Sequence, residues 1–125
     1  MSDAISPPVL VLVVDDEAVL RFIASEVLEE SGFQVLEAED AKAALKVLAE
    51  HPDVRVLFTD INMPGALDGL DLARETHARW PSIKLVVTSG RAKPSDREIP
   101  DAGRFVAKPY SPDRLVGEIR KALVS

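Results

Sequence analysis

The chain has 125 residues, of which 46% are apolar and 29% charged, with no cysteine and a formal net charge of −6. That length holds one domain with a single core. The missing cysteines exclude disulfides and thiolate metal sites, and fit a cytoplasmic location. The acidic balance argues against direct nucleic-acid binding. No apolar run approaches the roughly 18 residues of a membrane span, so no membrane contact is expected.

Residues 1–8 lack the basic region and apolar core of a signal peptide and read as a disordered leader, with one domain over 9–125. Residues 9–14 (VLVLVV) are apolar without alternation, as in a strand covered on both faces. Asp15, Asp16 and Glu17 follow at a helix start, and Asp16 is placed to cap it. Leu20, Ile23, Ala24, Val27 and Leu28 give that helix one buried stripe, and Gly32 ends it. Residues 33–38 (FQVLEA) predict a second strand. Asp40 then caps a helix over Ala41–Glu50, with Ala44, Leu45, Val47 and Leu48 facing inward.

A third strand over 54–59 runs into Asp60, and the turn residues Asn62, Pro64 and Gly65 follow. A carboxylate at that strand end can be a nucleophile, a metal ligand or an ordinary turn residue. Residues 67–80 hold a helix with Leu70, Leu72 and Ala73 inward, and 83–87 (IKLVV) a fourth strand ending in Thr88, Ser89 and Gly90. Residues 91–104 carry Pro94 and Pro100 and few apolar residues, so at most a short turn near 95–98 is expected. A fifth strand, Arg104–Ala107, precedes Lys108 and Pro109. Ser111 caps a last helix with Pro112 at its first position and Leu115, Ile119, Ala122 and Leu123 inward. Strands alternating with helices imply an α/β doubly wound parallel sheet of five strands, with a weak or short fourth helix.

In such a sheet, ligands gather at the carboxyl ends of the strands. Those ends supply Asp15 and Asp16, then Asp60, Thr88 and Lys108. Three carboxylates on one rim repel unless a cation joins them. Hard oxygen ligands with room for water suit Mg²⁺, and a nearby lysine and hydroxyl suit a phosphoryl group. His51 and His77 have no companion at ligand spacing and read as surface residues.

The pattern resembles the receiver domain of two-component response regulators. It rests on VVDDE at 13–17, TDINMPG at 59–65, TSG at 88–90 and KP at 108–109, each following its strand. The resemblance implies a flavodoxin-like strand order 2-1-3-4-5. It implies that Asp60 is the phosphoryl acceptor, that Asp16 holds Mg²⁺ directly and Asp15 through water, and that the backbone carbonyl of Asn62 completes the protein's ligands. Lys108 would pair with a phosphoryl oxygen, Thr88 would swing its hydroxyl onto another, and Phe105 would be the aromatic switch. The donor would be a histidine kinase or histidine phosphotransfer protein. Val19 and Phe22, outside the buried stripe of the first helix, are candidates for docking it. The downstream partner is left unnamed.

Three departures stand out. The loop 64–69 looks one residue longer than the common form, the fourth helix is poorly encoded, and Gly90 puts no side chain over the site. With no output domain after the last helix, the expectation is a stand-alone receiver, with an excised domain as the alternative. The expected function is a phosphoryl-accepting switch rather than an enzyme. A receiver-like adaptor would show a broken acidic site. An aspartate-nucleophile phosphatase would usually carry a second acid two residues after its nucleophile, where this chain has Asn62.

Overall fold

A computed structural model describes residues 8–91, 94, 99, 100 and 103–125. In chain order the elements are β1 (Leu10–Val14), α1 (Ala18–Glu30), β2 (Gln34–Ala38), α2 (Ala41–Glu50), β3 (Val56–Asp60), α3 (Gly69–Arg79), β4 (Lys84–Ser89), β5 (Arg104–Ala107) and α4 (Pro112–Leu123). All pairings are parallel, in the order β2-β1-β3-β4-β5. The expected strand order is therefore present.

Strand alternation divides the core into two layers. Leu12, Leu57, Leu85 and Val87 pack with Ala44 and Leu48 of α2 and Leu72 and Ala73 of α3. Val11, Val13, Phe58, Val86 and Val106 pack with Ala24 and Leu28 of α1 and Leu115 and Ile119 of α4. Asp60 and Thr88 share the parity of Phe58 and Val86, so both belong to the α1/α4 side. β3 and β4 extend through Asp60 and Ser89, one and two residues beyond the expected ends, because the ladder pairs Asp60 with Thr88.

Three local readings change. Asp16 is not the cap of α1: Glu17 is the N-cap residue and makes no side-chain cap bond. Instead the Asp15 carboxylate accepts the Glu17 N–H at 2.9 Å. Ile23 leaves the buried stripe at 50% exposure, and Ser25 is buried. The buried face of α1 is set by Ala24, Ser25 and Leu28, one step round the helix from the apolar stripe, so Ile23 falls on its exposed flank. Helix α3 starts at Gly69 rather than near residue 67, because Asp68 and Asp71 form a capping box. The leader, except Pro8, and the turn expected at 95–98 lie outside the described residues.

Glu118, charged and on a helix, is nevertheless buried. Its carboxylate accepts from Arg104 Nε, with Arg114 Nε at 3.3 Å and Lys121 Nζ at 3.8 Å. Burial pushes its pKa up, but Arg104, Lys121 and Arg114 outweigh burial and hold it below the usual range. A depressed folded-state pKa stabilises the fold at neutral pH, and that contribution is lost as the pH falls through the folded value. Glu118→Gln is expected to cost about 1–3 kcal/mol in urea unfolding at pH 7, with the difference shrinking below the carboxylate range.

Candidate functional site

The carboxyl ends of β1, β3 and β5 converge as the alternation requires. Carboxylate oxygens of Asp15, Asp16 and Asp60 all lie within 4.8 Å of one another. Asp15 and Asp60 are buried, and Asp16 is exposed at the rim. Lys108 Nζ bridges the two buried acids, 3.3 Å from Asp15 Oδ2 and 3.2 Å from Asp60 Oδ2. The Asn62 N–H donates to Asp60 Oδ1 at 3.2 Å. A cleft of about 390 Å³, lined by Glu17, Leu20, Asn62, Gly90 and Arg91, opens onto Asp60 and Lys108.

Three carboxylates face one ammonium here. Burial, with the Asp15 charge added, raises the Asp60 pKa despite the opposing pull of Lys108. Burial lowers the Lys108 pKa, but the Asp60 and Asp15 carboxylates more than offset it and leave it raised. The donors are all hard oxygens, close enough to share one small cation, and Asp16 has no cap bond to compete for its carboxylate. The residues present fit Mg²⁺.

Thr88 Oγ1 donates to the carbonyl of Val106 at 2.6 Å. Phe105, next to Val106, is half-buried against the α2/α3 layer and pairs with Val87 across the ladder. Gly90 leaves its side open, the nearest side-chain atom to an added Cβ being Lys108 Cβ at 3.9 Å. Val19 and Phe22 are 70% and 59% exposed and form one patch with Ile23.

Several contributors were not read from the sequence. Ser89 Oγ donates to Asn62 Oδ1 at 2.6 Å and accepts the Arg91 N–H at 3.0 Å, tying the β3 loop to the β4 end. Gly69 lets α3 begin against β3: an added Cβ would sit 2.0 Å from the Asp60 carbonyl oxygen. Tyr110 packs edge-on to Phe58, with ring centroids 5.7 Å apart. Burial, then Asp15 and Asp60, push its pKa up to about 12. A small hydroxyl beside Thr88 and a glycine after a capping aspartate are visible signals, but their partners are set by tertiary approach.

An open parallel sheet carrying acids, a lysine and a hydroxyl on its carboxyl edge defines an α/β domain with its ligand site at that edge. The sequence profile of the response regulator receiver domain matches residues 11–120, and the chain belongs to that family. It is 32% identical to the response regulator receiver protein CpdR of Brucella abortus, over 93% of this chain and 97% of that one. It is 36% identical, over 90% of its length, to the hydrogenase transcriptional regulatory protein HoxA of Cupriavidus necator, but spans only 24% of HoxA. A response regulator receiver protein of Pseudomonas putida superposes with a TM-score of 0.82 at 28% identity, covering 94% of this chain and 99% of that one. The chain is thus a phosphoryl-accepting signalling switch, and neither the adaptor nor the phosphatase reading is favoured. Domains of this family generally bind Mg²⁺ at an acidic pocket and are not ordinary enzymes; in two-component systems they typically interact with histidine kinases. No helix among the described residues is long and apolar enough to cross a membrane.

Proposed function

We propose that Asp60 is the acceptor, in a domain spanning 9–125 that acts in the cytoplasm. The observation that carries this is the buried Asp60 carboxylate, within 4.8 Å of those of Asp15 and Asp16 and 3.2 Å from Lys108 Nζ. An Asp60 oxygen attacks the phosphorus of a phosphohistidine, the P–N bond breaks, and the imidazole leaves with a proton. Asp16, Asp15 (through water) and the Asn62 carbonyl would hold Mg²⁺ beside Asp60. When bound, Mg²⁺ neutralises charge on the phosphoryl oxygens. Lys108, already against Asp60, takes a phosphoryl oxygen as a point charge. Hydrolysis later returns the free carboxylate and inorganic phosphate, so the only catalysis is of the domain's own modification. Incubation with acetyl phosphate and Mg²⁺ tests this: one phosphoryl per chain is expected, none in excess EDTA, and no sustained release of phosphate beyond the turnover of that one group.

The switch follows from Thr88. Its hydroxyl is held by Val106, and a phosphoryl group on Asp60 competes for it. Release of the Val106 carbonyl loosens the backbone beside Phe105, whose ring then turns further into the α2/α3 layer. That is one bistable packing element biased by one new charge.

Donor docking falls to Val19 and Phe22, now joined by Ile23. A groove of about 530 Å³ lined by Leu20, Pro109 and Tyr110 leads from this patch to Lys108. Phe22→Ala is expected to slow phosphotransfer from a cognate kinase about tenfold while leaving acetyl phosphate labelling unchanged. An unchanged transfer rate removes the docking role.

Gly90 leaves the acyl phosphate open to water. Gly90→Glu is expected to change the lifetime of phospho-Asp60, measured as phosphate release after donor removal. Equal lifetimes would remove any role for that open side.

A further inference from the structure

The loop before α3, residues 64–68, is not used by the chemistry at Asp60, yet it builds a second concave surface. Gly65 takes φ +110°, a conformation closed to other residues without strain, and turns the loop beside α2. Between them lies a groove of about 540 Å³. Leu45, Ala49, Pro64 and Leu67 supply its apolar lining. Leu67 is 37% exposed although it is a large apolar side chain.

Its rim is basic on a chain whose net charge is −6. Lys42, Lys46 and Arg79 line it. Arg79 is paired with Glu75 at 2.7 Å. Lys42 and Lys46 are exposed and form no ion pair among the described residues. The acid in the lining, Asp40, has its carboxylate turned to the N-terminus of α2, accepting the Ala43 N–H at 2.8 Å. Lys42 and Lys46 stand one helical turn apart, the spacing at which two carboxylates on a partner helix also stand.

We propose that this groove binds an acidic amphipathic helix, which lays an apolar stripe on Leu45, Ala49, Pro64 and Leu67 and sets carboxylates one turn apart against Lys42 and Lys46. The shape selects a peptide over a membrane: the apolar groups line a hollow, whereas a bilayer is entered by projecting side chains. Charge complementarity sets the sign of the partner.

The probe is a fluorescein-labelled 16-residue peptide with leucines at i, i+3, i+4 and i+7 and glutamates elsewhere. A matched peptide with lysines in place of glutamates is the control. Anisotropy is expected to show binding of the acidic peptide only, with amide shifts in ¹⁵N spectra confined to residues 42–49 and 64–68. Lys42→Glu with Lys46→Glu is expected to weaken it by at least about tenfold. Asp60→Asn is expected to leave it unchanged, which separates this surface from the phosphoacceptor. Failure of the acidic peptide to bind, equal binding of both peptides, shifts centred on Val19 and Phe22, or affinity unchanged by the double reversal each overturn the proposal. Sedimentation with phosphatidylserine vesicles that is lost in the double variant would overturn it in favour of a lipid surface.

Discussion

Asp60→Asn is expected to take up no phosphoryl group from acetyl phosphate or from a kinase, while keeping its fold. The amide is isosteric and still accepts the Asn62 N–H through Oδ1, the contact made at 3.2 Å by the carboxylate. What it lacks is a nucleophilic oxygen. Stability is the informative control. The ionised Asp60 is disfavoured in the fold, first by burial and then by the Asp15 charge, so its pKa is raised. A raised folded-state pKa means that the charged form costs stability at neutral pH, a cost relieved as the pH falls. Removing the charge relieves it at pH 7, with Asp15 left to pair with Lys108. The variant is therefore expected to melt no lower than the wild type, so that loss of labelling cannot be ascribed to unfolding. A kinase transfer assay and a calorimetric scan on the same sample check both halves.

Gly69→Ala is expected to be the most damaging glycine-to-alanine change among the described residues. A Cβ there would stand 2.0 Å from the Asp60 carbonyl oxygen and 2.7 Å from the Ile61 Cα, both main-chain atoms that have no rotamer to yield. Either α3 moves away, losing the Gly69 N–H to Ile61 carbonyl bond of 2.9 Å, or the end of β3 moves and carries Asp60 with it. Overpacking of this kind costs on the order of 3 kcal/mol. A displacement of the reacting carboxylate by about an ångström costs on the order of a hundredfold in rate. Gly117→Ala makes the contrasting control. Nothing lies within 4 Å of its added Cβ, and it sits inside α4, where alanine is favoured by up to about 1 kcal/mol. The same substitution is thus expected to stabilise at residue 117 and destabilise at 69, read from urea midpoints of the two variants.

These contrasts show where the sequence is legible. The strands read clearly because β1, β3 and β4 are buried runs bounded by acids or turn residues. Caps with a side-chain signal, Asp40 and Ser111, also read correctly. Asp16 misled because it has the chemistry of a cap, whereas the neighbouring Asp15 carboxylate curls back to the Glu17 N–H. The stripe of α1 misled at Ile23 because the face turned to the sheet is centred on Ala24, Ser25 and Leu28, and the polar Ser25 gives no apolar signal of that rotation. Glu118 was invisible as a buried residue, since its three cationic partners include Arg104 from a different element. Gly69 and Ser89 owe their importance to an approach between chain segments that no local pattern encodes. The acidic site was legible because each of its members follows an apolar strand, and a parallel sheet brings all such ends to one edge.

The acceptor can be identified chemically. Borohydride reduces an acyl phosphate to a primary alcohol, turning a phosphorylated aspartate into homoserine. The protein is labelled with acetyl phosphate and Mg²⁺, reduced, digested and sequenced by mass spectrometry. Homoserine at position 60 alone is the expected result. Homoserine at position 15 or 16, or none at any position in a sample that carries one phosphoryl per chain, would contradict the assignment of Asp60 as acceptor.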